Sequence, residues 1–275
     1  MLLVKDRCQA EGSQHGRCKV NSPGSGPSVL SRAFAILDSF ADGPPEQTHG
    51  MIMHATGFPP ATVHRLLAEL IEWGAVERTG RGRYRLGLHL WRLGAQVPQG
   101  RELRDLALPY LQDLFEVTHQ VVHLVVLDGN RALYLERLEA RPGVAVRSQV
   151  GGRLPLHATG PGKVLLAHAP PELLDEVIDA GLSSHASGTI VDAARLRSAL
   201  AAIRQTGYCI SRNEMTDGAA SIAAPIRDGA GRVVASVSVV LPSNTRNLAR
   251  LVPAVRMAAL GVSRELTLHH PADRN

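Results

Sequence analysis

Residues 57 to 73 read GFPPATVHRLLAELIEW, a turn of glycine, aromatic and two prolines followed by an uninterrupted run of helix formers. Val63, Leu66, Leu67, Leu70 and Ile71 recur every three or four residues and so share one face of a helix. That face must be buried, and the turn before it limits what can bury it. Upstream, THGMIMHATGF offers Thr48 as an N-cap, a short helix through Ile52 and Ala55, and Gly57 placed to close it with a positive φ. Two helices joined over so short a turn must cross sharply, which is the helix-turn-helix arrangement. Before them, SVLSRAFAILDSFADG sets Leu30, Ala33, Ile36, Leu37 and Phe40 on one stripe and ends at Gly-Pro-Pro, giving a first helix for the other two to pack on.

The outer face of the third helix carries Ala61, Thr62, His64, Arg65 and Ala68 near its N-terminus. Small and hydrogen-bonding side chains are what a DNA major groove admits, and the N-terminal part of a recognition helix meets the base edges. From the helix alone, a plain solvated face explains the same residues equally well. The next segment decides. In GAVERTGRGRYRLG, residues 75–78 and 84–86 flank a glycine-rich turn as a small hairpin, with Arg78, Arg81, Arg83 and Arg85 around Gly80 and Gly82 and Glu77 the one acid there. A flexible basic loop beside a recognition helix is suited to neutralising phosphates or reaching a minor groove. Three helices and this hairpin make a winged helix-turn-helix.

The chain is 275 residues long, enough for a second domain, and 44% hydrophobic against 20% charged residues is a globular balance. A formal charge of +5 and a pI near 9.5 favour polyanionic partners without demanding them. Cys8, Cys18 and Cys209 are scattered and odd in number, so a disulfide framework is not expected and a reducing cytoplasm fits. The opening MLLVKDRCQAEGSQHG is too short in apolar residues for a signal peptide, and no window approaches the roughly 20 residues of a membrane span, so no membrane partner is expected. Cys8, His15 and Cys18 lack a fourth ligand and match no zinc spacing, which leaves residues 1–27 as a disordered tail and no metal site.

From Leu86, LGLHLWRLGAQV repeats Leu86, Leu90, Leu93 and Val97 at helical spacing, a linker helix placed for dimer contact, with Trp91 as a packing anchor. A helix in ELRDLALPYLQDLFEVT then leads into QVVHLVVLDGNRALYLERLEA, two apolar runs joined at Asp-Gly-Asn, a strong hairpin signal. SIAAPIRDGAGRVVASVSVVLP repeats that grammar, with helices expected at about 161–169, 171–180, 192–206 and 245–267. Hairpin strands with helices segregated between them indicate an antiparallel α+β domain. The expected division is 28–87 for DNA binding, 88–102 for the linker, 103–268 for an effector domain and 269–275 for a C-terminal tail.

VGGRLPLHATGPGKVLLA has the look of a phosphate loop because Gly162-Lys163 precedes a helix, but the P-loop spacing needs Gly at 157 and Ser or Thr at 164, where His157 and Val164 stand. What remains is a loop whose amides at Thr159, Gly160 and Gly162 could converge on an anionic or carbonyl oxygen, or a tight loop that uses glycine for geometry. No motif orients Cys209 with a base, and no GxSxG, HExxH or paired-carboxylate signature is present, so no catalytic residue is assigned and no enzyme expected.

SVLSRAFAIL, TGFPPATVHRLLAEL, RYRLGLHLWRLG, VGGRLPLHATGPGKVLLA, GYCISRNE and SIAAPIRDGAGRVVASVSV occur in the order and spacing of the IclR family of bacterial transcription regulators, and the chain resembles that family from Ser28 to Leu268. The resemblance implies an N-terminal winged helix-turn-helix, a dimerising linker helix and a C-terminal profilin- or GAF-like domain on a six-stranded antiparallel sheet. It further implies operator DNA bound by a homodimer or dimer of dimers (a homotetramer), a repressor or activator under the control of a small metabolite, and no cofactor. The DNA-contacting set becomes Ala61, Thr62, His64, Arg65, Arg81 and Arg83. By position, the effector pocket would be lined by Leu154, Gly160, Pro161, Ser211, Glu214, Ser221 and Ser238. Members that bind small keto acids tend to carry Asp at 211, Cys at 221 and Ser at 240, where this chain has Ser211, Ser221 and Val240; the expected ligand is neutral, or larger than glyoxylate or pyruvate. His49 and Gly50 stand where the family prefers apolar and helix-forming residues. The alternative is a small-molecule hydrolase or isomerase carrying a winged-helix interaction module.

Overall fold

The computed structural model describes residues 27–139 and 147–269, so the N-terminal tail with Cys8, His15 and Cys18 lies outside it. The first unit runs α1 (Val29–Asp42), β1 (Gln47–Thr48), α2 (His49–Thr56), α3 (Pro60–Glu72), β2 (Val76–Thr79) and β3 (Arg83–Leu86). Its caps are those the sequence offers. The Ser28 hydroxyl accepts from the Ser31 amide at 3.0 Å, Thr48 accepts from Met51 at 3.3 Å, and Gly57 ends α2 at φ 69°. Helix α3 has no side-chain cap and begins at Pro60, whose missing N–H needs no partner there. Ile36, Phe40, Ile52, Val63, Leu66, Leu67, Val76 and Tyr84 form the core beneath the three helices. The hairpin gains a third strand that the pattern did not signal: Gln47 and Thr48 pair with Tyr84 and Arg83, and the buried Gln47 amide donates to the Ser39 carbonyl at 2.7 Å. A two-residue strand is too short to carry a period.

The linker helix is shorter than expected, and the helix after it starts earlier. Helix α4 covers Leu88–Gly94, and α5 begins at Pro98 and continues to Thr118. A boundary at 102/103 therefore falls inside α5, whose Leu103, Ala107, Leu111 and Leu114 are buried against the second unit as one face. Trp91 is corrected as well: it is 72% exposed in the single chain, because α4 is short and none of the described residues covers that side.

The second unit is a six-stranded sheet of order β6-β5-β4-β9-β8-β7, every neighbouring pair antiparallel. Its strands are β4 (Val121–Asp128), β5 (Arg131–Leu138), β6 (Arg153–Pro155), β7 (Cys209–Arg212), β8 (Ala219–Arg227) and β9 (Val233–Pro242). Alternation splits the central strands between two layers. Val122, Leu124, Ile222, Val237 and Val239 pack with α5 and α9 (Val252–His269), while Val125, Ala132, Tyr134 and Ala223 pack with α6 (Gly160–His168) and α8 (Ala193–Thr206). Helix α7 (Pro171–Asp179) adds Val177 to that second layer. The closing helix starts later than expected, at Val252, because Asn247 takes φ 54° and a 3-10 turn, Leu248–Leu251, intervenes. Among the described residues no helix is long and apolar enough to cross a membrane.

Candidate functional site

Two surfaces concentrate the residues singled out above. On α3, Val63, Leu66 and Leu67 are buried, while Ala61, His64 and Arg65 are exposed and Thr62 is half-buried, so burial of one stripe turns the other outward. His49 of α2 approaches His64 with ring centres 6.5 Å apart, at the junction of the two helices. Beside them the wing turn, Gly80–Gly82, holds Arg81 at φ 65°, a left-handed conformation that costs free energy for any residue with a Cβ. Arg85 pairs with Glu77 at 2.8 Å, which draws the Glu77 carboxyl below the usual carboxylate range through the Arg85 hydrogen bond. Arg78, Arg81 and Arg83 have no such carboxylate among the described residues, so the exposed charge of the wing is theirs. A pair of exposed cations at a tight turn next to a helix with a small, polar outer face can span a duplex backbone and its groove together.

The second surface is a small cavity of about 50 Å³ between the N-terminus of α6, strands β4, β8 and β9, and the loop after β7. Leu154, Gly160, Pro161, Ser211, Glu214 and Ser221 all line it. Ser238 does not. It is fully buried on β9, in register with His123 and Ala223, and Val240, two residues on along the same face, forms the wall at that position. Gly160 is dictated by packing: a Cβ there would lie 2.4 Å from the Ser221 hydroxyl oxygen. The expected convergence of three amides is reduced, because the Gly162 N–H is taken by the Thr159 hydroxyl at 3.2 Å and Pro161 has no N–H.

Lys163 is not a phosphate ligand. It is 2% exposed in a helix that is buried on all sides and donates to the Glu214 carboxylate, itself 7% exposed. The Ser211 hydroxyl donates to the same Glu214 oxygen, Oε1, at 2.8 Å, and Oε2 is buried with no hydrogen-bond partner. A buried pair such as this contributes little net stability, but losing one partner leaves a buried charge unpaired. Thr189 donates to the Glu214 carbonyl at 2.6 Å and Gly188 to that of Asn213 at 2.7 Å, which fixes the loop.

Among the lining residues that the sequence did not single out are His123, Tyr134, Arg147 and Ser148. His123 on β4 bonds the Ser148 hydroxyl at 2.8 Å and meets Tyr134 edge to face at 5.0 Å. Burial, helped by the Arg137 charge, pushes His123 down to about 3, so it is neutral. The exposed Arg147 brings a cation to the cavity. No local motif marks these positions; strand pairing brings them together from distant segments. Cys209, considered above as a thiol, is 4% exposed and pushed up to about 11 by burial, an unreactive core residue. Among the described residues no group of three or more His, Cys, Asp or Glu side chains could hold a metal ion.

Comparison with known proteins follows the two units. Residues 29–80 match the IclR helix-turn-helix domain, and residues 95–264 match the bacterial transcriptional regulator IclR C-terminal domain. The HTH-type transcriptional regulator KipR of Bacillus subtilis is 31% identical over 86% of this chain and 96% of its own length. The HTH-type transcriptional repressor AllR of Escherichia coli is 31% identical over 90% and 93%. The crystal structure of an IclR homolog from Microbacterium hydrocarbonoxydans, complexed with 4-hydroxybenzoate, superposes with a TM-score of 0.80 at 34% identity, covering 88% of this chain and all (100%) of that one.

Proposed function

The chain belongs to the IclR family of bacterial transcription regulators, helix-turn-helix proteins with a C-terminal effector-binding domain, and on that premise we propose that it is a repressor of operator DNA released by a small metabolite in the Glu214 cavity. In this reading Ala61, Thr62, His64 and Arg65 meet base edges, while Arg81 and Arg83 fix register on the phosphate backbone. The protein acts in the cytoplasm as a homodimer or a dimer of dimers, with residues 28–87 as the reading head. The ligand carries a carboxylate or is neutral. An effector can act only if its affinity differs between the DNA-competent arrangement and another.

The observation that carries the reading is the presence in one chain of an exposed α3 face beside Arg81 and Arg83, which have no carboxylate partner among the described residues, and of a lined cavity in the second unit. The test is fluorescence anisotropy against the protein's own upstream intergenic DNA and a scrambled control at several salt concentrations, followed by a metabolite panel that includes 4-hydroxybenzoate. A site bound at least about 10³-fold tighter than the control, weakened by some panel member, is the expected result. Equal, salt-sensitive binding to both sequences, unmoved by any panel member, would overturn it.

A further inference from the structure

Between α7 and α8 the chain runs without helix or strand, yet residues 182–190 are tied down along their length. Leu182 and Ile190 pack on the core of the second layer. The His157 ring donates from Nε2 to the Ser183 carbonyl at 3.0 Å. The Thr189 hydroxyl accepts from the amides of His185 and Ala186 and donates to the Glu214 carbonyl, the Gly188 N–H donates to the Asn213 carbonyl, and the Ser187 amide and hydroxyl both donate to the Asp217 carboxylate. Gly188 comes so close to the end of β7 that a Cβ there would meet the Arg212 carbonyl oxygen at 2.4 Å. Residues 182–190 thus form a strap across the loop after β7, and that loop supplies Glu214, Met215 and Thr216 to the cavity wall.

His185 sits in the middle of the strap, half-buried, with its ring centre 5.8 Å from that of His157 and its Nε2 shielded from solvent without a hydrogen-bond partner. A neutral ring tolerates that position, but a charged one finds no acceptor for its proton. The surrounding charges oppose it too. Arg131 of β5 and Arg147 from the segment before β6 act on His185, and Arg131 and Lys163 of α6 act on His157. Glu214, the carboxylate that favours a charge on His157, is already held by Lys163 and Ser211. Burial draws both rings below the usual histidine range, and His157 and the two arginines add to this at His185. Opening the strap returns His185 to water, so the open form binds a proton that the closed form does not. The advantage of the closed form is therefore complete above about pH 6.5 and is lost as pH falls below it. We propose that the strap is a proton-sensitive latch on the cavity wall: when His185 takes up a proton beside His157, residues 182–190 lift away and the loop at 213–217 loses its hold. The latch acts on the wall whatever fills the cavity, and only its consequence, weaker effector binding in acid, rests on the reading of the cavity as the effector site.

Hydrogen exchange of the full chain, read by mass spectrometry between about pH 7.5 and about pH 5 and corrected for the intrinsic exchange rate, tests the latch. Each group that charges on opening shifts the equilibrium by up to about tenfold per pH unit below its open-state value. Protection of peptides over 182–190 and 212–218 is therefore expected to fall at least about tenfold across that range, while peptides of β4 and β9 hold. Asp217 does not confuse the window, because the Ser187 hydrogen bonds keep its carboxyl below the usual carboxylate range. His185→Gln keeps a polar side chain that cannot charge, and should remove most of the pH dependence. Should that variant fail to close, NMR titration of the histidine ring protons in the wild-type chain gives an independent reading, with His185 expected to titrate below about 6.5. Protection that is unmoved by acid, a pH dependence undiminished in His185→Gln, or a His185 ring titrating at or above about 6.5 would overturn the proposal. A metabolite panel run under the same conditions separates the two readings: a strap that opens in acid while no compound binds refutes the effector site alone, whereas binding with an acid-insensitive strap refutes the latch alone.

Discussion

Gly160 and Ser221 share a space too small for one more carbon, and the 2.4 Å separation from a notional Cβ makes the pair a testable packing unit. Gly160→Ala should cost about 1–3 kcal/mol by chemical denaturation and impair ligand binding, because the hydroxyl must give way into the cavity wall. Ser221→Gly in the same chain should restore most of both; failure to do so would mean that the backbone of α6, and not the hydroxyl, sets the limit. His123 makes a second prediction. Its folded value of about 3 lies below the ordinary 6.5, so between those values the unfolded chain binds a proton that the folded chain does not. Stability contributed by keeping this residue neutral is complete above about pH 6.5 and is lost as pH falls toward 3. His123→Gln should therefore flatten the dependence of unfolding free energy on pH between 4.5 and 6 by up to about 1.4 kcal/mol per pH unit, measured as the difference from wild type. Parallel curves would show that His123 does not titrate in that window. Single residues were legible in the sequence where local chain geometry decided them, as with Gly57 and Thr48. His123 was not, because its role comes from lying opposite Ser238 across β4 and β9, far apart in the chain.

Elements were legible in proportion to how much of their burial is periodic. Helices α1, α3 and α8 carry clear stripes and fall within a residue or two of expectation, whereas β1 has too few residues for any pattern and the first turn of α5, PQGRE, has no apolar repeat to mark it. The wing is where element geometry separates two kinds of DNA contact. Arg81 at the tip has a positive φ and an exposed side chain, while Arg85 faces Glu77 across the hairpin. If the tip arginine neutralises a phosphate, Arg81→Ala should weaken operator and scrambled DNA alike and lower the slope of log K against log salt by about one unit. Arg85→Ala should leave that slope unchanged, since its charge is already paired. Arg65→Ala, on the α3 face, should instead cost about 1–3 kcal/mol of discrimination between operator and control. Anisotropy titrations over a salt series measure all three, and equal slopes for wild type and Arg81→Ala would remove the wing from the interface.

At the scale of the molecule, clusters of apolar side chains stand outside both cores of the described residues. Leu88 and Trp91, one turn apart on α4, are 76% and 72% exposed, and Leu30 and Phe34, one turn apart on α1, are 62% and 54% exposed. Apolar side chains clustered in this way, rather than scattered singly, mark a surface that another protein covers. The repeat in LGLHLWRLGAQV predicts an apolar stripe but gives Trp91 a packing role within the chain, because periodicity cannot distinguish a core face from an interface face. Should that stripe join two copies, Leu88→Asp with Trp91→Asp would introduce charge at the junction without touching either core. The thermal unfolding of each unit should then hold within a few degrees, while sedimentation shifts to a smaller species. Two reading heads on one operator bind as a tethered pair, so separating them should lower affinity for the full site by about 10²–10⁴ and affinity for a half-site hardly at all. A variant that sediments as wild type and keeps its full-site affinity would move the dimer contact elsewhere, and the exposed Val117, Met257 and Leu268 of α5 and α9 would be the next face to charge.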